Sequence, residues 1–127
     1  MKQFNCLVLE DSLNDQLSIE ILLNQYPEII PCYTNSPQSF SYEMAQNQYN
    51  LIITDIKLPG IVTGIDLLQL IKDTSTWVII CSAYDSKKYY EDYKSLHFTK
   101  FYLQKPLDDF IFKTYIDSFL FNQNKQI

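Results

Sequence analysis

Short apolar runs alternate with segments of helical length along this chain. The runs lie at residues 7–9, 29–33, 51–54, 78–81 and 101–103. Continuous runs of apolar and β-branched residues are typical of strands that are buried on both faces of a sheet. Because strands and helices alternate, the pattern predicts a parallel sheet whose strands are joined by right-handed crossovers. We therefore expect an α/β fold built from five β–α units.

The first helix is expected to cover residues 13–25. Asp11 or Ser12 is placed to cap its N-terminus, because both side chains accept hydrogen bonds from the free N–H groups of a first turn. The pair Tyr26-Pro27 ends the helix, since proline cannot continue it. The apolar positions that share one stripe of this helix are Leu13, Leu17 and Ile21.

The remaining helices are marked by their first residues. Ser36 is a suitable N-cap for the second, and Pro37 fits its first turn, where a missing N–H leaves no bond unmade. Phe40 and Met44 give this helix an inward face. The third and fourth helices are expected to begin near residues 64 and 85, and the fourth carries Tyr89, Tyr90 and Tyr93.

The fifth helix is expected over residues 107–121. It is apolar nearly all round, although a surface helix needs only one apolar stripe. The extra apolar surface fits either a wide core contact or a face for a partner or a second copy of the chain.

Pro31, in the second apolar run, indicates the order of the strands. Proline lacks an N–H group and is tolerated at the edge of a sheet far better than in its middle. The flavodoxin-like order 2-1-3-4-5 places the second strand at an edge. We therefore predict one doubly wound, five-stranded parallel sheet with five helices on both faces. This domain spans residues 1–121, and we expect a short polar tail over residues 122–127 and no output domain.

The composition narrows the classes of function. The chain has 127 residues, a net charge of −5 and only ten basic residues, which argues against direct binding to nucleic acid. The sequence lacks both a secretory signal and an apolar segment of membrane-spanning length, so we expect a cytoplasmic protein without membrane contact. Cys6, Cys32 and Cys81 lack metal-ligand spacing and are expected to be reduced and buried.

Polar residues stand where four of the strands end. Glu10 and Asp11 follow the first strand, Asp55 follows the third, Ser82 the fourth and Lys105 the fifth. In open α/β sheets, chemistry gathers in the crevice beyond the carboxyl ends of the strands. We therefore expect these five side chains to converge in one site.

The three carboxylates of this set need a counter-charge. Two carboxylates about 5 Å apart repel by roughly 3 kcal/mol at an effective dielectric constant near 20. Mg²⁺ prefers oxygen ligands, and together with Lys105 it would neutralise the site. The residues therefore predict Mg²⁺ as the cofactor.

With these residues, the chain resembles the response-regulator receiver domain, the phosphoacceptor part of two-component signalling systems. The features that carry the resemblance are Glu10-Asp11, Asp55 in Asp-Ile-Lys-Leu-Pro-Gly, Ser82-Ala83 and Lys105-Pro106. It spans about residues 3–121. The runs Leu-Pro-Gly, Gly-Ile-Asp-Leu-Leu and Ser-Ala-Tyr-Asp are also similar to receivers that precede a LytTR-type DNA-binding domain.

The resemblance implies a role for each site residue. Asp55 becomes the phosphoacceptor, and the metal is held by Glu10, Asp11, Asp55 and the backbone carbonyl of Lys57. Ser82 and Lys105 bind the phosphoryl group. The switch aromatic falls on Tyr102, which also fits a strand aromatic packed half-buried against the fourth helix. The residues that tune dephosphorylation are Lys57 and Tyr84.

One departure from the family pattern lies close to the acceptor. Gly64 stands nine residues after Asp55, whereas the family places its glycine eight residues after the aspartate. The extra residue falls between Pro59 and Gly64, in a loop that borders the site.

The function implied is that of a receiver that takes a phosphoryl group from a sensor histidine kinase or a phosphotransfer protein. The signal would reach a downstream protein, or change self-association, through the fourth helix, fifth strand and fifth helix. We expect no enzyme activity beyond the chain's own phosphotransfer and dephosphorylation. An alternative is a receiver-like interaction module that is never phosphorylated. A hydrolase of the haloacid-dehalogenase type would need a second acid where Lys57 stands.

Overall fold

The computed structural model describes residues 2–56 and 63–125 and contains one five-stranded parallel sheet. The strands are β1 (Phe4–Leu9), β2 (Ile29–Thr34), β3 (Leu51–Asp55), β4 (Trp77–Ser82) and β5 (Lys100–Gln104). Their order in the sheet is β2-β1-β3-β4-β5, which confirms the predicted order. Pro31 lies on the edge strand β2, opposite Cys6 of β1.

The helices differ widely in length. The α-helices are α1 (Leu13–Leu23), α2 (Pro37–Gln46), α3 (Gly64–Leu68), α4 (Tyr90–Tyr93) and α5 (Asp109–Lys125). Ser36 caps α2 with Pro37 in the first turn, as predicted, and the Ser12 side chain caps α1. The segment expected to form the fourth helix begins as a 3₁₀ turn (Ser86–Tyr89).

Alternation along the strands produces two apolar layers, one on each side of the sheet. The layer between the sheet and α1 and α5 contains Val8, Ile53 and Phe112; we call this side the α1–α5 face. The opposite layer contains Leu9 and Phe40 and is covered by α2, α3, the 3₁₀ turn and α4; we call it the α2–α4 face. Burial on both sides explains why the strands read as continuous apolar runs.

The apolar stripe expected to face inward on α1 faces outward instead. Leu13, Leu17 and Ile21 are exposed, with 68%, 45% and 65% of their surface accessible. The buried side of the helix consists of Ile19, Leu22 and Leu23. Residues two positions apart on a helix point about 200° apart, so the stripe through Leu17 and Ile21 opposes the side that carries Ile19. The helix has two apolar sides, and only one packs on the sheet.

Helix α5 begins later and ends later than predicted. It runs from Asp109 to Lys125, past the expected end at residue 121, and Gln123 is buried. The buried positions continue at helical spacing, which keeps the last turn against the sheet. Residues 126–127, at the end of the expected tail, lie outside the described part of the chain. The side chains of α5 that remain exposed include Phe110, Ile111 and Phe121.

The three thiols are free, as expected, and Cys6 and Cys81 are buried as predicted. Cys32 is only half-buried, contrary to the prediction, because it lies on the edge strand β2. Burial raises the pKa of both buried thiols, so neither is a ready nucleophile. Within residues 2–56 and 63–125, no helix is long and apolar enough to cross a bilayer.

Candidate functional site

The carboxyl ends of β1, β3, β4 and β5 meet at one edge of the sheet, and backbone hydrogen bonds fix them there. The Lys105 N–H donates to the Ser82 carbonyl at 2.7 Å, which joins the ends of β5 and β4. The Ile56 N–H donates to the Cys81 carbonyl at 3.3 Å, which joins the ends of β3 and β4. The polar residues after these strands are therefore held in a common place by the sheet.

Three carboxylates converge there, as the sequence predicted. One oxygen each of Glu10, Asp11 and Asp55 lies within 4.8 Å of the other two. Glu10 and Asp55 are buried, and Asp11 is exposed. Two of the three carboxylates therefore lie below the protein surface. The third is open to solvent, where a cation can enter.

The Lys105 ammonium joins this cluster. Its Nζ lies 2.7 Å from Glu10 Oε2 and 2.9 Å from Asp55 Oδ2. A third carboxylate, Asp15, accepts a hydrogen bond from the same Nζ at 2.8 Å. Burial lowers the pKa of Lys105, but hydrogen bonds to Asp15, Glu10 and Asp55 outweigh burial and raise it. Lys105 is therefore firmly cationic and tied to the acceptor candidate.

Sequence reasoning did not select Asp15. It lies in the first turn of α1, and its N–H donates to the Ser12 side chain at 3.4 Å. An acid in a first turn is usually explained by the helix dipole alone, so its residue type gave no specific signal. Asp11 lies before the first turn of α1, so its spacing of four residues from Asp15 gave no helical signal either.

Glu10 is fixed through both carboxylate oxygens. Its Oε1 accepts from the Ser12 N–H at 3.0 Å, and its Oε2 accepts from Lys105. Burial raises the pKa of Glu10, and the hydrogen bonds from Lys105 and Ser12 offset only part of this effect. A buried carboxylate of this kind is stabilised in its charged form by a nearby cation.

Ser82 lies at the end of β4 and is fully buried. Its Oγ accepts a hydrogen bond from the Tyr84 N–H at 3.1 Å. Tyr102 is half-buried, and its hydroxyl donates to the Tyr84 carbonyl at 2.7 Å. Burial raises the pKa of the Tyr102 hydroxyl, and the nearby Ser82 side chain offsets part of this rise. Ser82, Tyr84 and Tyr102 therefore form one connected group.

Aromatic contacts extend this group to α4. The Tyr102 ring stacks on Tyr93 with the two centroids 5.7 Å apart and an angle of 21° between the planes. The Lys88 ammonium lies over the Tyr84 ring, 3.4 Å from its centroid. A shift of Tyr102 would therefore move the side chains that pack beside it on α4 and on the 3₁₀ turn before α4.

Gly64 approaches the acceptor strand closely. A Cβ atom at this position would overlap the Asp55 carbonyl oxygen. The Gly64 N–H also donates to the Ile56 carbonyl at 2.9 Å, which anchors the start of α3. Only glycine fits this position without a backbone shift. Lys57 and the loop with the extra residue, up to position 62, lie outside the described part of the chain.

The donor set fits a hard divalent cation. Mg²⁺ is usually held by one or two carboxylates together with waters and phosphate oxygens. Glu10, Asp11 and Asp55 offer three carboxylates at one place, next to the carboxylate of Asp15. The Lys105 ammonium offsets only one of these negative charges, so a divalent cation is a suitable further counter-ion.

Comparison with known proteins identifies the family. The sequence pattern of the response regulator receiver domain matches residues 6–117, which is most of the chain. The chain belongs to the response regulator receiver domain family. As a receiver domain, it is a phosphoacceptor module of two-component signalling.

The curated relatives match part of this receiver domain. An uncharacterized response regulatory protein of Staphylococcus epidermidis (strain ATCC 12228) is 44% identical over 63 residues. These residues are 50% of this chain and 24% of that protein. The match therefore covers about a quarter of the length of these curated relatives.

Solved structures share the receiver fold over nearly the whole chain. A CheY-like receiver domain from Methylobacillus flagellatus has a TM-score of 0.77 at 20% identity, over 94% of this chain and 99% of that one. The BeF3-activated DrrB receiver domain has a TM-score of 0.76 at 19% identity, over 93% of this chain and 97% of that one. These similarities confirm the predicted flavodoxin-like fold.

Proposed function

We propose that Asp55 accepts a phosphoryl group from a sensor histidine kinase or a phosphotransfer protein. The observation that carries this proposal is the Lys105 ammonium, 2.9 Å from Asp55 Oδ2 within a cluster of three carboxylates whose spacing suits a metal ion. An aspartate at a strand end, paired with a cation and next to the exposed Asp11, is placed to act as a nucleophile.

In the proposed step, an Asp55 oxygen attacks the phosphorus of a phosphohistidine. A P–O bond forms, the P–N bond breaks, and the leaving imidazole nitrogen keeps the electron pair and takes a proton from solvent. Lys105 and Ser82 would then donate hydrogen bonds to the phosphoryl oxygens, and bonds to charged groups of this kind are the strong ones. Water later hydrolyses the acyl phosphate, which returns the carboxylate and releases inorganic phosphate.

Mg²⁺ would be held by Glu10, Asp11 and Asp55, with the Lys57 backbone carbonyl as a further proposed ligand. When bound, it supplies positive charge that offsets the repulsion between the carboxylates and the incoming phosphoryl group. Two residues of the chain set the geometry of the acceptor. Lys105 orients the Asp55 carboxylate, and Glu10 holds Lys105 from the other side.

We propose that Ser82 and Tyr102 report the phosphorylation. A phosphoryl group that draws the Ser82 hydroxyl toward itself would break its bond to the Tyr84 N–H and disturb the Tyr102 hydroxyl that is bound to the Tyr84 carbonyl. The Tyr102–Tyr93 stack would carry this change to α4. The surface of α4, β5 and α5 would then change its affinity for a downstream protein or a second copy.

We further propose that the chain catalyses no reaction beyond its own phosphotransfer and dephosphorylation. A kinase donor uses cytoplasmic ATP, so the proposed reaction belongs in the cytoplasm. With a net charge of −5, the partners are proposed to be proteins and not nucleic acid or membrane.

Lys57 and Tyr84 are proposed to shield the acyl phosphate from water, which gives slow self-dephosphorylation. Replacing each with alanine should speed the decay of the phosphorylated protein. An unchanged decay rate in both variants would rule out the shielding role.

The proposed acceptor can be tested with acetyl phosphate, whose acetate leaves with the electron pair when the P–O bond breaks. We expect the intact protein to gain the mass of one phosphoryl group only when Mg²⁺ is present. Asp55→Asn should abolish the gain, whereas Asp73→Asn, which alters an exposed loop acid, should keep it. Borohydride reduction of the acyl phosphate followed by peptide mapping should mark residue 55. A folded protein that gains no mass would support the alternative, an interaction module that is not phosphorylated.

A further inference from the structure

Every N–H donor of the Lys105 ammonium already makes a hydrogen bond. A lysine ammonium carries three N–H donors. The three nearest acceptors are Glu10 at 2.7 Å, Asp15 at 2.8 Å and Asp55 at 2.9 Å. Each donor therefore already serves one carboxylate. A phosphoryl group on Asp55 brings new anionic oxygens to the same ammonium, so at least one of these contacts must weaken when the group arrives.

The three carboxylates differ in how easily they can be released. The side chains of Glu10 and Asp55 are 1% and 10% exposed, whereas that of Asp15 is 37% exposed. A buried carboxylate that loses its cation stays poorly solvated, but an exposed one is hydrated by water. Asp15 is therefore the partner that Lys105 can release at the lowest free-energy cost.

The fold does not need this contact to hold Asp15 in place. The backbone of Asp15 is fixed by the helix cap, through the hydrogen bond from its N–H to the Ser12 side chain. Acids in a first turn are favourable there without any ion pair. Helix α1 therefore does not require the ion pair between Asp15 and Lys105. The main effect of this ion pair is that it occupies one N–H donor of the Lys105 ammonium.

We propose that Asp15 is a positioning residue that competes with the phosphoryl group for the Lys105 ammonium and so favours the unphosphorylated site. This inference rests on the proposed function of Asp55. Loss of the Asp15 charge frees one N–H donor, while Glu10 and Asp55 still hold Lys105 in the site. The phosphorylated state then forms more readily.

The test measures the affinity for beryllofluoride, a mimic of the phosphoryl group, by fluorine NMR at saturating Mg²⁺. We expect Asp15→Asn to tighten binding about three- to tenfold, a modest effect because the carboxylate is partly exposed. Asp15→Ser, a second neutral variant, should behave in the same way. Asp15→Glu keeps the charge and should stay within about twofold of the unmodified protein. Asp117→Asn is the matched control, because it removes one negative charge from an exposed helix position whose partner is Tyr26.

Two further measurements separate competition from a structural role. The initial rate of phosphorylation by acetyl phosphate should rise in both neutral variants, and their thermal unfolding should stay close to that of the unmodified protein. If Asp15 merely supported the fold, the neutral variants would unfold at lower temperature and bind beryllofluoride more weakly.

The outcomes distinguish this inference from the proposed function. If the unmodified protein binds beryllofluoride and is phosphorylated, but the neutral variants bind equally or more weakly, the competition by Asp15 is wrong and Asp55 stands. Equal tightening by Asp15→Glu would also overturn it, because the charge would then not matter. If the unmodified protein neither binds beryllofluoride nor takes up phosphate, both the function of Asp55 and the role of Asp15 are wrong.

Discussion

The two faces of the sheet are built differently. On the α1–α5 face, one helix of 17 residues packs Phe112 and Phe119 against the strands. On the α2–α4 face, the sheet next to the site is covered by α3, with five residues, and α4, with four. A long helix with a continuous buried side cannot shift without losing many contacts, whereas a single turn can. The α2–α4 face is therefore the easier one to rearrange.

The site connects the two faces. Within the alternation of β3, Asp55 falls in line with Leu51 and Ile53, which belong to the α1–α5 layer. Within β4, Ser82 falls in line with Val78 and Ile80, which belong to the α2–α4 layer. The proposed acceptor thus stands on the side that the long helix α5 covers, and the hydroxyl proposed to report its state stands on the side that the short helices α3 and α4 cover.

The largest effect is expected from the core of the α1–α5 face. Phe112→Ala removes a fully buried ring and should lower the free energy of unfolding by about 3–5 kcal/mol. Urea unfolding measures this loss. Phe110→Ala, two residues earlier on the same helix but 79% exposed, should change it by less than about 0.5 kcal/mol. Similar losses in the two variants would show that α5 does not anchor this face as described.

A smaller loss is expected where α3 meets the acceptor strand. Gly64→Ala places a methyl group against the Asp55 carbonyl, so the strand end or α3 must move. We expect a loss of about 1–3 kcal/mol in the free energy of unfolding, typical of overpacking. Phosphorylation by acetyl phosphate should slow at the same time, because Asp55 itself is displaced. Unchanged stability and rate would mean that the close approach of α3 is absent in solution.

The smallest effect is expected from the removal of either of two tyrosine hydroxyls, each of which donates a hydrogen bond to a backbone carbonyl. Tyr102 bonds to Tyr84 at 2.7 Å and faces α4, whereas Tyr115 of α5 bonds to Tyr102 at 3.2 Å. Replacing either with phenylalanine should lower the free energy of unfolding by about 1 kcal/mol. Only Tyr102→Phe should also change the affinity for beryllofluoride. An equal change in both variants would contradict the separation of the two faces.

The sequence predicted the parts of this molecule that depend on one dominant signal. Pro31 indicated the edge strand, and Asp55 and Lys105 were found because polar residues directly follow apolar runs. The prediction of the inward side of α1 is wrong because that helix has two apolar sides, and only tertiary contact selects Ile19, Leu22 and Leu23. Asp15 was missed because an acid in a first turn has an ordinary local explanation. Its contact with Lys105, 90 residues away, exists only in the folded chain.

The central claim, that phosphorylation at Asp55 rearranges the α2–α4 face, is tested most directly by hydrogen exchange with and without beryllofluoride at saturating Mg²⁺. We predict that protection changes from β4 through β5, at residues 82–104, and stays the same in the buried turns of α5 around Phe112 and Phe119. Equal changes on both faces, or changes confined to α5, would contradict the claim.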